Sequence, residues 1–186
     1  MRAFTIVAIT LALGGAAAAQ HAAATPAIHR KAIHSEASAY RPFVGTWKLV
    51  SSTEKLPDGT VKPYGFGPHA MGYLMYDATG HVCAQVVNPD RPMWQDPDNP
   101  TPGEIKTAFD GFGGYCGIYK VDEKTHMLEH IPQVPFDPNL VGKPSPRQYQ
   151  FEGKDLIYSG NDKDDGTPVQ WTMVWERVDW HATGNK

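Results

Sequence analysis

The sequence predicts an all-β protein: an antiparallel sheet of about eight to nine strands, closed on itself as a barrel, with one short helix. Three observations carry this expectation. Beyond Pro42 the chain runs as short apolar and aromatic segments broken by turn chemistry at the spacing of a barrel or sandwich. Within those segments, side chains alternate between apolar and polar, the period of a strand with one buried face. Helical periodicity is almost absent, so a one-sided sheet has little besides itself to pack on.

The segments follow in order. Phe43–Ser52 reads as the first strand, and Leu56-Pro57-Asp58-Gly59-Thr60 as a turn. A short strand near Thr60–Tyr64 comes next. Ala70–Tyr76 and His81–Val87 form a hairpin across Asp77-Ala78-Thr79-Gly80. Gly114–Val121 and Met127–Gln133 flank the polar turn Asp122–Thr125. Arg147–Glu152 and Leu156–Ser159 flank Gly153-Lys154, and Val169–Val178 is the last strand. Asn88–Pro102 breaks the pattern: its five prolines cannot serve a central ladder. Ile105, Ala108, Phe109 and Phe112 then recur at helical spacing, predicting a short helix over Gly103–Phe112. This excursion fits a lid over one barrel end, or a surface connection between two strands.

Before the sheet comes an address. Met1-Arg2 supplies one positive charge, Ala3–Leu13 is apolar and uncharged, and Ala17-Ala18-Ala19 precedes Gln20. That order is the pattern of a secretory signal peptide over residues 1–19. Residues 20–40 read as a loosely ordered arm, residues 41–180 as the barrel domain and residues 181–186 as a tail. The expected location is secreted or periplasmic, with no membrane anchor after cleavage. Cys83 and Cys116 would then meet oxidising conditions. A cross-strand disulfide fits if their Cα atoms approach within about 7 Å; two buried free thiols fit as well.

Composition excludes several classes of function. With 41% hydrophobic residues and 20 aromatics among 186, wholesale disorder is excluded. The formal charge of −3, becoming −4 once Arg2 is removed, comes with no basic block, so nucleic acid is not an expected partner. No nucleophile elbow, phosphate loop or metal motif is present. The eight histidines are badly spaced for a metal: on a strand, His126 and His130 stand about 13 Å apart. Neither a metal nor a cofactor is expected, and oligomeric state is not legible.

Phe43-Val44-Gly45-Thr46-Trp47-Lys48-Leu49 resembles the opening G-x-W strand of lipocalin-type barrels. Leu56-Pro57-Asp58-Gly59, Gly72–Asp77 with Gly80, Phe109–Val121 and Val174–Val178 resemble, in the same order, the bacterial and fungal lipocalin-like domain family. The resemblance spans roughly residues 41 to 178 and implies an up-and-down barrel with a central cavity. It also implies that Arg177 packs across Trp47 as a cation–π contact. His130, Pro138-Asn139 and Arg147 match further positions of the family pattern.

The candidate ligand-binding residues are Trp47, Met75, Tyr115, Tyr119, His130, Arg147, Trp171 and Trp175. Alternation places Trp171 with Val169, Met173, Trp175 and Arg177, and Arg147 with Tyr149 and Phe151. A guanidinium facing the lumen would be a permanent donor able to hold a carboxylate or enolate, with His130 as proton donor or base. Three functions follow. The first is an exported barrel holding a small hydrophobic or amphipathic ligand. The second is a cyclase or isomerase on the same barrel, with His130 and Arg147 catalytic. The third is an interaction module with a packed interior.

Overall fold

The computed structural model describes residues 38–179. The signal peptide, most of the arm, the tail, and with them His21, His29 and His34 lie outside those residues. Nine strands follow one another: β1 (Gly45–Lys55), β2 (Val61–Pro63), β3 (Met71–Tyr76), β4 (His81–Val87), β5 (Phe112–Asp122), β6 (Met127–Pro135), β7 (Ser145–Glu152), β8 (Asp155–Asp164) and β9 (Thr167–Arg177). Each pairs antiparallel with its neighbour, and β1 pairs with both β3 and β9. The sheet therefore closes as an eight-stranded barrel, with β2 added beside the far half of β1. Among the described residues, closure pairs every barrel strand on both sides and leaves only the three-residue β2 as an edge.

Alternation sets the inner face. Leu74 and Tyr76 of β3, Val82, Ala84 and Val86 of β4, Leu128 and His130 of β6, and Leu156 and Tyr158 of β8 are all buried. Two irregularities modify this period. In β1 the register shifts between Leu49 and Ser51, which leaves Val50 57% exposed and turns Ser52 and Glu54 inward. In β5 it shifts between Cys116 and Gly117. A Cβ on Gly117 would stand 2.1 Å from the carbonyl oxygen of Ile131, so only glycine permits that approach.

One end of the barrel is sealed. Trp47 is buried there, its indole donating to the Phe43 carbonyl at 2.8 Å. The Arg177 guanidinium stacks 4.0 Å from the Trp47 ring centroid and donates to the carbonyls of Val44 and Pro42. To do so it crosses Gly45, where a Cβ would lie 2.7 Å from it and where φ is +136°. The G-x-W pair thus serves closure: glycine lets the cation pass and tryptophan receives it. Phe43, Tyr76 and Tyr119 complete this plug with tilted and edge-on aromatic contacts.

The expected helix is shorter than its apolar spacing suggested. Helix α1 spans Pro102–Asp110, opened by a capping box of Thr101 and Glu104, and Phe112 begins β5 instead. Helix α1 buries none of its residues and packs beside β5, so the excursion is a surface connection and not a lid. On the outer wall, Cys83 of β4 faces Cys116 of β5 directly, and the two form a disulfide with Cα atoms 4.1 Å apart. Among the described residues, no helix is long and apolar enough to cross a membrane.

Candidate functional site

The end opposite the Trp47 plug is the mouth, where the far half of β1, β2 and the starts of β3, β5, β7 and β9 meet. The chain from β2 to β3 runs over this opening. Gly65 and Gly67 both take positive φ (+74° and +85°) and place Phe66 between them. The Phe66 ring rests on Gly113 of β5, at a distance that leaves no room for a side chain there. On the facing wall Tyr64 stacks on Trp171, with centroids 5.8 Å apart and planes 6° from parallel. Trp171 in turn lies against Gly160, whose missing Cβ would stand 2.5 Å from the indole.

Polar contacts hold this segment in place. Tyr64 donates to Asp162 at 2.9 Å, and Lys62 bridges Asp164 at 2.5 Å and Glu54 at 3.1 Å. Burial first, and then the Asp162 carboxylate, raise the Tyr64 pKa well above the ordinary phenol value. Hydrogen bonds donated to Asp164 and then to Glu54 hold the Lys62 ammonium above its ordinary value too.

Below the mouth, near mid-barrel, four side chains form an unbroken hydrogen-bonded row. Tyr115 Oη lies 2.5 Å from His130 Nδ1, and His130 Nε2 lies 2.5 Å from Tyr76 Oη. Tyr76 Oη lies a further 2.5 Å from Tyr158 Oη. His130, Tyr76 and Tyr158 are buried, whereas Tyr115 keeps partial exposure. Burial, reinforced by the Arg147 cation, drives the His130 pKa well below its ordinary 6.5, so the ring is neutral. Burial raises the phenols of Tyr76 and Tyr158 far above their usual range, keeping both protonated.

Arg147, on β7, is half-buried and stands 5.6 Å from the centroid of Tyr158. It donates to the Ser145 carbonyl at 3.1 Å and to Ser145 Oγ at 2.8 Å. Among the described residues it pairs with no carboxylate. Burial works against the cation, but the phenols of Tyr115, Tyr76 and Tyr158 outweigh it and hold the Arg147 pKa above its ordinary value.

Of the residues expected from the sequence, Tyr115, His130 and Arg147 come together here, and Trp171 lines the same inner face nearer the mouth. Trp47, Tyr119 and Trp175 face inward but belong to the packed core, although the buried Trp175 indole N–H has no hydrogen-bond partner among the described residues. Met75 is a correction: it alternates with the buried Leu74 and Tyr76, lies opposite Cys83 on the outer wall and is 46% exposed. Its strand period turns it away from any lumen. His130 is also recast, because both its nitrogens are engaged within the protein and neither meets the lumen. Sequence reasoning passed over Tyr76 and Tyr158 as candidates. Each sits two residues beyond a buried leucine, so alternation alone would have found them. Among the described residues, no cluster of three His, Cys, Asp or Glu side chains is placed to hold a metal ion.

A match to a family model agrees with this architecture. The family model of the lipocalin-like domain matches residues 44–178. No curated protein matches the chain in sequence. Among solved structures, a siderocalin, Ex-FABP, described as functioning through dual ligand specificities, is similar at 10% sequence identity. The match covers 75% of this chain and 78% of that one, with a TM-score of 0.28.

Proposed function

The chain belongs to the lipocalin-like domain family, and on that premise we propose that its barrel binds one small apolar or amphipathic molecule through the mouth. One observation carries the reading: where accessible surface remains on the inner wall. Inner residues of the sealed half, such as Trp47, Leu128, Leu156 and Trp175, are buried. In the mouth half, Tyr115, Arg147, Trp171 and Met173 keep partial exposure. Around them Ser52, Glu54, Val86 and Val169 are buried, so the exposure is confined to one stretch of the inner wall. Indole and thioether walls favour an apolar body, and the Tyr115–Arg147 pair offers a polar anchor.

Export belongs to the same reading. The Cys83–Cys116 disulfide suits an oxidising compartment, and residues 1–19 have the order of a cleavable leader. Native mass spectrometry of protein purified from its own host tests the binding. A retained small molecule, lost on mild denaturation, is expected. A barrel that is dry there and in a tryptophan-fluorescence titration with hydrophobic probes would return the interaction module. Substitutions at Arg147 that abolish turnover of a bound compound while preserving its affinity would return the isomerase.

A further inference from the structure

The row Tyr115–His130–Tyr76–Tyr158 has a direction, and that direction fixes what the lumen offers a ligand. Neutral His130 carries one N–H, and each phenol carries one O–H, so four protons serve three hydrogen bonds. One proton is always left over; if both neighbours of Tyr76 donate to it, the leftover is the buried Tyr76 O–H, stranded in mid-row. If the row runs from Tyr115 toward Tyr158, the leftover O–H belongs to Tyr158. Tyr158 is fully buried, and its only polar partner among the described residues is Tyr76, so that donor would be stranded.

The opposite order leaves nothing stranded. Tyr158 donates to Tyr76, Tyr76 donates to Nε2 of His130, and His130 Nδ1–H donates to Tyr115. The free O–H is then that of Tyr115, the one member of the row with exposure. Arg147, which stands 5.6 Å from the ring centroid of Tyr158 in the same row and has no carboxylate partner among the described residues, adds guanidinium N–H groups and no acceptor.

We infer that the inner end of the site is donor-only, with Tyr115 Oη–H and the Arg147 guanidinium together recognising an oxyanion, such as the carboxylate of an amphiphile. An ammonium head would bring donors to donors, and a neutral hydroxyl could accept one bond but would leave its own proton unpaired and offer no charge to the guanidinium. This inference rests on the barrel being a binding site, and it assigns the polar end of the ligand. Buried His130 acts here as a positioning residue, holding Tyr115 as a donor by occupying one of its lone pairs.

The test titrates the intact protein with dodecanoate, dodecanol and dodecylammonium, read by calorimetry and tryptophan fluorescence at neutral pH. Dodecanoate is expected to bind at least tenfold more tightly than either of the others. R147Q is expected to lower dodecanoate affinity at least tenfold and Y115F several-fold, with a smaller fold-loss for dodecanol in each. Melting curves verify that each variant folds, and the wild-type comparison among head groups needs no variant at all. Equal binding of dodecanoate and dodecanol overturns the oxyanion assignment while leaving the apolar binding site standing. Failure of all three probes to bind removes the binding reading, and this assignment with it.

Discussion

A neutral histidine fully enclosed by phenols makes folding depend on pH in a defined sense. Native His130 does not take a proton near its ordinary 6.5, whereas the unfolded chain does. Below that value the unfolded state binds more protons, so stability falls as pH falls, by up to about 1.4 kcal/mol per unit. Urea unfolding at pH 7.5, 6.5 and 5.5 is expected to show this decline, and H130Q, which keeps a donor and an acceptor, to flatten it. A slope unchanged by H130Q would remove His130 as its source. At the sealed end, R177A gives up the indole stack and two bonds to carbonyls. A loss of about 2 kcal/mol is expected from the same measurement.

Pairs of elements are locked by different chemistry on the two sides of the wall. Outside, the Cys83–Cys116 bridge spans 33 residues between β4 and β5. Its removal in a C83S/C116S variant should keep the fold but lower the unfolding free energy by about 3 kcal/mol. An unchanged denaturation midpoint would contradict that. Inside the mouth, the β1 bulge turns Glu54 inward to 5% exposure, and Lys62 of β2 is its ion-pair partner. K62M strands a buried carboxylate and should lower the unfolding free energy, by less than the loss of a fully buried pair because Lys62 is part-exposed. Adding E54Q to K62M should recover most of that loss, since the stranded charge disappears. Without such recovery, Lys62 must act mainly through Asp164.

At the scale of the molecule, closure through the β1–β9 pairing makes all eight barrel strands one cooperative unit. The 88–111 excursion stands outside it, for α1 buries no residue. Hydrogen exchange should therefore be slowest across β8, β9 and β1, whose register is the longest, and fastest in residues 88–111. Protection in α1 equal to that of β9 would mean the helix is held by more than its cap. The sealed end and the open end differ in the same sense. Aromatic rings plug one, while among the described residues the other is crossed by the short segment around Phe66 and the Lys62–Asp164 bridge.

Strand order, the hairpin turns and the inward face of most strands were legible in the amino-acid sequence, because period-two alternation and turn residues act locally. Counting alone grouped Trp171 with Trp175, and Arg147 with Tyr149 and Phe151, but left open whether the face of Arg147 is the inner one. Helix α1 was legible except at its end, where apolar spacing ran on into Phe112 although the capping box at Thr101 and Glu104 marked the start. Met75 was misplaced because its apolar character suggested a lumen that its register denies. What needed three dimensions was everything set by long-range contact. The β1 bulge reverses the face of Glu54, β1 meets β9 some 130 residues later, and Lys62 reaches Asp164 across the mouth. The row from Tyr115 to Tyr158 joins four strands, and its polarity depends on which end is buried. Local sequence fixes which way a side chain points along its strand; only closure of the sheet decides what it meets.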